Sequence, residues 1–89
     1  MKLVIAIVKD SDALDVSDAL VENNFRVTRI ASTGGFLRRG NVTLLIGVDA
    51  TALDTLFTTI DGACRNPENP GEHKATIFVL PAEDFVQIG

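Results

Sequence analysis

"FRVTRIASTGGFLRRGNVTLLIGV" (residues 25–48) lies at the centre of an 89-residue chain and sets the order of its elements. "FRVTRIA" (25–31) and "VTLLIGV" (42–48) are apolar runs rich in β-branched residues and predict two strands in succession. "ASTGGFLRRGN" (31–41) between them is too glycine-rich and polar for a core segment. An ordinary hairpin turn needs neither its phenylalanine nor its arginine pair.

Working outward, "KLVIAIVK" (2–9) predicts another strand, and "SDALDVSDALVENN" (11–24) an amphipathic helix. On a helical wheel Ala13, Leu14, Val16, Leu20 and Val21 fall on one side, with Asp12, Asp15, Asp18 and Glu22 opposite. Acids spread in this way make a solvated face, not a metal site. Asn23-Asn24 supplies a stop, since Asn tolerates the left-handed conformation.

After the second strand pair, Leu53, Leu56, Phe57, Ile60, Ala63 and Cys64 follow helical spacing. Asp49 or Thr51 is the expected cap, with Asp54 completing a capping box in "TALD". Cys64 falls on the apolar stripe and is expected to be a small core residue rather than a nucleophile. "RNPENPGEHK" (65–74) is a turn-rich connector, "ATIFVL" (75–80) a last strand closed by Pro81, and "AEDFVQIG" (82–89) a short helical turn or edge strand.

The order β-α-β-β-α-β predicts an α+β, ferredoxin-like fold in one domain spanning 1–89, with both helices on one face of an antiparallel sheet. The other face would meet water, so the strands should alternate apolar and polar. "LVIAIV", "LLIGV" and "TIFVL" do not alternate. Two helices cannot cover both faces, so the open face is expected to pack on further copies. Size points the same way: a domain this small buries only about 63% of its unfolded surface, yet 46% of its residues are hydrophobic.

Composition excludes several roles. A net charge of −4 argues against gripping a nucleic-acid backbone. The apolar run Leu3–Val8 is too short for a signal peptide and is followed by "KDSD". No segment approaches a membrane span. One cysteine cannot form an internal disulfide, which fits a cytoplasmic location. One His and one Cys make no metal cluster, and no cofactor is expected.

Against the acidic background, no acid stands between Glu22 and Asp49, while Arg26, Arg29, Arg38 and Arg39 all do. Gly34-Gly35 permits a nest of backbone N–H groups for an anion. Arg26 shares a strand face with Thr28, Phe36 offers a stacking surface, and Asn41 carries the donor and acceptor that a purine edge requires. Together these features suggest a phosphate-bearing purine nucleotide.

"RVTRIASTGGFLRRGNVTLLIGV", with "MKLVIAIV" before it and "ATIFVLPAEDF" near the end, closely resembles the PII-like cyclic di-AMP receptors of bacteria. The resemblance runs through nearly the whole chain. It implies a PII-like homotrimer, with cyclic di-AMP bound but not processed in clefts between subunits, and loops that meet an unknown partner protein in signal transduction. It implies ligand positions at Arg26, Thr28, Gly35, Phe36, Leu37, Asn41 and Gly47, and a tail position at Gln87. One departure is clear: these receptors usually carry a long insertion over the ligand between the second helix and the last strand, where only "RNPENPGEHK" stands here.

Other classes fare less well. A hydrolase would want a positioned base or nucleophile, but the only His, His73, lies in the connector. An RNA-binding module would show aromatics on central strands of a basic domain, whereas Phe25 and Phe78 are expected in the core. The main rival is a structural trimer that binds ATP, ADP or no ligand at all.

Overall fold

The computed structural model describes residues 1–30, 40–83 and 88. It contains β1 (Lys2–Lys9), α1 (Asp10–Glu22), β2 (Arg26–Ile30), β3 (Asn41–Val48), a 3₁₀ turn (Ala50–Ala52), α2 (Leu53–Ala63) and β4 (Ala75–Pro81). The expected β-α-β-β-α-β order is present. The strands form one four-stranded sheet in the order β2-β3-β1-β4, and each neighbouring pair is antiparallel. This is the ferredoxin-like arrangement.

Strand pleating divides the sheet into two chemically different faces. Val4, Ala6 and Val8 of β1 and Val42, Leu44, Ile46 and Val48 of β3 point to the helix side. There they pack on Ala13, Val16 and Leu20 of α1 and on Leu56, Ile60 and Cys64 of the α2 segment. The alternate residues form the open face, and the register orders them in rows. Arg26, Gly47, Leu3 and Leu80 make one row, Thr28, Leu45, Ile5 and Phe78 the next, and Ile30, Thr43, Ile7 and Thr76 a third. Asn41 and Lys9 close the face at its far end.

The phase of α1 differs from expectation. Leu14 and Val21, placed on the core side by the wheel, are 66% and 61% exposed, and Asp12, placed with the solvated acids, is 1% exposed. Docking against α2 selects the arc of Ala13, Val16 and Leu20, which lies toward Asp12 and away from Leu14 and Val21. The buried carboxylate is not orphaned. It accepts from the Arg65 backbone N–H at 3.4 Å, and the Arg65 guanidinium stands 3.9 Å away.

The stop at Asn23-Asn24 is as expected. Asn24 has φ of 67°, in the left-handed region. Its N–H donates to the Val21 carbonyl at 3.0 Å, and the Phe25 N–H donates to that of Leu20 at 2.9 Å. This is a Schellman motif, and it seats Phe25 against the core. Gly40 has φ of 89° and accepts from the Asp10 N–H at 2.6 Å, so the third glycine of the loop serves to launch β3.

The capping box in "TALD" does not form. Neither Asp49 nor Ala52, the residues at the cap positions, makes a side-chain cap bond. Instead the 3₁₀ turn tightens the entry, with the Ala52 N–H donating to Asp49 at 2.9 Å. Phe57 of the apolar stripe is left 37% exposed at its rim. Pro81 closes β4 as expected, as its last residue, and pairs with Lys2, which an edge strand tolerates. Phe78 is not in the core: it projects from the open face, 51% exposed.

The helix stop yields a stability prediction. Asn24→Ala is expected to cost about 1 kcal/mol and Asn24→Gly to cost nothing, because only the former places an ordinary Cβ in the left-handed region. Urea midpoints at one fixed protein concentration test this; equal losses in both variants would assign the effect to the Asn side chain.

Candidate functional site

The open face positions the described members of the expected ligand set. Arg26 begins β2 directly across from Gly47 of β3, and Thr28 follows two residues along the same face. Arg26 forms no ion pair among the described residues, in contrast to Arg29, whose Nη2 lies 3.7 Å from the Asp10 carboxylate. Arg29 is on the helix side of β2, opposite Leu44, so the strand presents its two arginines to different surroundings.

Gly47 lies in extended backbone, and a Cβ built there would meet nothing within 4 Å. The fold itself does not demand glycine here. What the missing side chain leaves is open space across from Arg26 on β2. A cleft of about 460 Å³ adjoins it, bounded by Asn23–Arg26, Gly47–Asp49, Ala52 and Thr55. A guanidinium with no anion among the described residues, a hydroxyl on the same strand face and bare backbone form a surface suited to a phosphate ester.

Asn41 stands elsewhere. It lies six residues from Gly47 along one strand, about 20 Å at the rise of a β-strand. The chain therefore brings Arg26, Thr28 and Gly47 together but does not bring Asn41 to them. Gly35, Phe36, Leu37 and Gln87 lie outside the described residues, as do Gly34, Arg38 and Arg39.

Two residues of this face were not singled out by the sequence. Lys9 is the cross-strand neighbour of Asn41, and its ammonium lies 3.2 Å from the Glu72 carboxylate. Thr43 is 6% exposed, and its Oγ1 has no hydrogen-bond partner among the described residues. Both belong to the face by register, which cannot be read until the strands are paired.

The chemistry of catalysis is not assembled among the described residues. Burial pushes the Cys64 thiol up, and the neighbouring Asp12 pushes it the same way, so the reactive thiolate is disfavoured. His73 lines a separate hollow with Phe57, Asp61 and Glu72, away from Arg26. Among the described residues no group of His, Cys, Asp and Glu is placed to hold a metal. No helix there is long and apolar enough to cross a membrane.

Comparison with known proteins now bears on this surface. The chain is similar to a crystallised, functionally unknown protein from Pediococcus pentosaceus ATCC 25745, with a TM-score of 0.76 and 38% identity. The match covers 98% of this chain and 96% of that one. Residues 1–70 match the family model for the cyclic-di-AMP receptor, a span that takes in β1 to α2, the glycine-rich loop and the first part of the connector. With its fold and the greater part of its length in agreement, the chain belongs to the cyclic-di-AMP receptor family.

Proposed function

We propose that the protein is a signalling receptor that binds cyclic di-AMP without processing it, in clefts between the subunits of a homotrimer. The observation that carries this reading is the open sheet face. It offers at one end an arginine that has no ion pair among the described residues, across from a bare glycine, and at the other an amide about 20 Å away. Residues so separated do not grip one phosphate or one base from a single subunit. Packing open faces together brings the Arg26 end of one copy toward residues of another, and the apolar rows around Ile5 supply the reason to pack.

In this site Arg26 and Thr28 hold phosphate, and Gly47 lets the ligand approach the backbone. Asn41 reads a purine edge, and Gly35, Phe36, Leu37 and Gln87 complete the enclosure, with Phe36 as a stacking face. The Thr43 hydroxyl, which has no partner among the described residues, also supports the reading, because a buried donor needs an acceptor and this face is where a ligand would supply one.

The compact connector affects binding in two opposing ways. Less chain is ordered on binding, which reduces the entropic penalty, but fewer contacts enclose the ligand. The loss of enclosure dominates, since phosphates left in water are screened by salt. Affinity is therefore expected to be modest and salt-sensitive. Calorimetry should show cyclic di-AMP binding that weakens at least 10-fold in Arg26→Ala, together with a shallower salt dependence, as expected when one charge-assisted contact is lost. The nucleotide should be recovered intact. Wild-type protein that binds no cyclic di-AMP would favour the structural-trimer reading.

The assembly is tested separately. Sedimentation at low micromolar concentration should show a trimer and no monomer. Ile5→Glu, which puts a charge in the middle of the apolar face, should release monomer, whereas Arg26→Ala should not. A monomeric wild type would remove the inter-subunit site.

A further inference from the structure

The described end of the open face that holds Asn41 carries its own cation, and that cation is already engaged. Lys9 and Asn41 are direct cross-strand partners, which places their Cβ atoms about 4.5–5.5 Å apart on the same face. The Lys9 ammonium reaches Glu72 of the connector at 3.2 Å. Asn69 donates to the other oxygen of the same carboxylate, also at 3.2 Å.

The connector is thus tied at three points. Arg65 meets buried Asp12 at its start, and Lys74 meets Asp61 at 2.9 Å at its end. Glu72–Lys9 is the tie that reaches the sheet residue beside Asn41.

These ties differ in strength for a physical reason. Asp12 is 1% exposed, and Lys74 donates to both the carbonyl and the carboxylate of Asp61, whereas Lys9 meets Glu72 through one contact between side chains that are 40% and 43% exposed. A pair in water gains little from its charges and exchanges partners readily. The Asn69 amide first, and Lys9 after it, hold the Glu72 carboxyl below the usual range, so it is ionised and bound to both at neutral pH.

We infer that Lys9 is a second phosphate-binding cation of the dinucleotide site, held by Glu72 in the free protein, and that an arriving phosphodiester displaces Glu72 and loosens the connector between its two end ties. The inference rests on the cyclic-dinucleotide reading above. It adds to that reading a residue for the phosphate at the Asn41 end and a route by which occupancy reaches the connector. Arg26, at the opposite end of the face, serves the other phosphate.

Calorimetry with cyclic di-AMP on the full chain, paired with amide hydrogen exchange, tests it. Lys9→Met is expected to bind about 10-fold more weakly, and Lys9→Arg to bind like wild type. Glu72→Gln, which removes the competing charge, should bind at least 3-fold more tightly. In wild type, ligand should accelerate exchange at the amides of Asn69, Gly71, Glu72 and His73. In Glu72→Gln and Lys9→Met they should already exchange fast without it. Wild-type affinity in Lys9→Met, unchanged affinity in Glu72→Gln, or exchange insensitive to ligand would each overturn the inference while leaving the receptor reading intact. Failure of wild type to bind cyclic di-AMP would overturn both. Sedimentation of each variant confirms that the assembly is unchanged.

Discussion

A four-stranded sheet has two faces, and among the described residues the helices of this chain cover one of them. On the covered side, Val4, Ala6, Val8, Leu44 and Ile46 are essentially removed from water. On the other, Leu3, Ile5, Ile7 and Leu45 are partly buried, while Ile30, Phe78 and Leu80 are at least 40% exposed. An apolar surface so continuous is unusual on a chain that works alone. The candidate site follows from the same imbalance, because Arg26, Thr28, Gly47 and Asn41 all occupy the uncovered face. Had the strands alternated apolar and polar in the ordinary way, these residues would be scattered among solvated neighbours.

Within that face the cationic and amide groups lie at its ends, and the rows between them are apolar apart from Thr28, Thr43 and Thr76. Arg26 and Gly47 stand where β2 begins and β3 finishes, whereas Asn41 and Lys9 stand where β3 begins and β1 finishes. In the proposed assembly such a layout suits a ligand with two anionic centres shared between copies: the apolar rows would draw the chains together, and each polar end would face a charge. The same layout explains why Arg29 does not join Arg26. One residue of strand pleat turns it to the helix side, where Asp10 already answers its charge.

Element order and type were legible in the sequence because they depend on local periodicity. β1 is bounded as "KLVIAIVK" predicts, and Asn23-Asn24 ends α1 through the left-handed φ that Asn permits. Cys64 is in the core as its place in the stripe implies. What periodicity does not contain is phase. Leu14, Val21 and Asp12 were assigned to the wrong sides because α1 is docked by α2 as well as by the sheet, and this rotates the buried arc toward the helix–helix contact. Phe78 was misplaced for a related reason: in an unalternating strand either face can be the buried one, and only pairing with Ile5 decides. Of the ligand set, Arg26 and Thr28 could be placed together from strand parity alone. The separation of Asn41 from them is a property of register, and so is the adjacency of Lys9.

The short connector gains meaning from this placement. A long lid can enclose a ligand by its own contacts, but a segment tied by Arg65, Glu72 and Lys74 has little slack to do so. In the proposed site it can instead register occupancy through competition for one ammonium, since a carboxylate and a phosphodiester brought to the same Lys9 ammonium repel each other. Competition of this kind is reciprocal: if ligand loosens the connector by some factor, anything that captures the loosened connector strengthens ligand binding by the same factor. The ligand's leverage is limited to its differential affinity for the two states, so a weak tie is the useful one. A buried Lys9–Glu72 pair would hold the connector closed against the phosphate. An exposed pair leaves the choice of partner to the ligand.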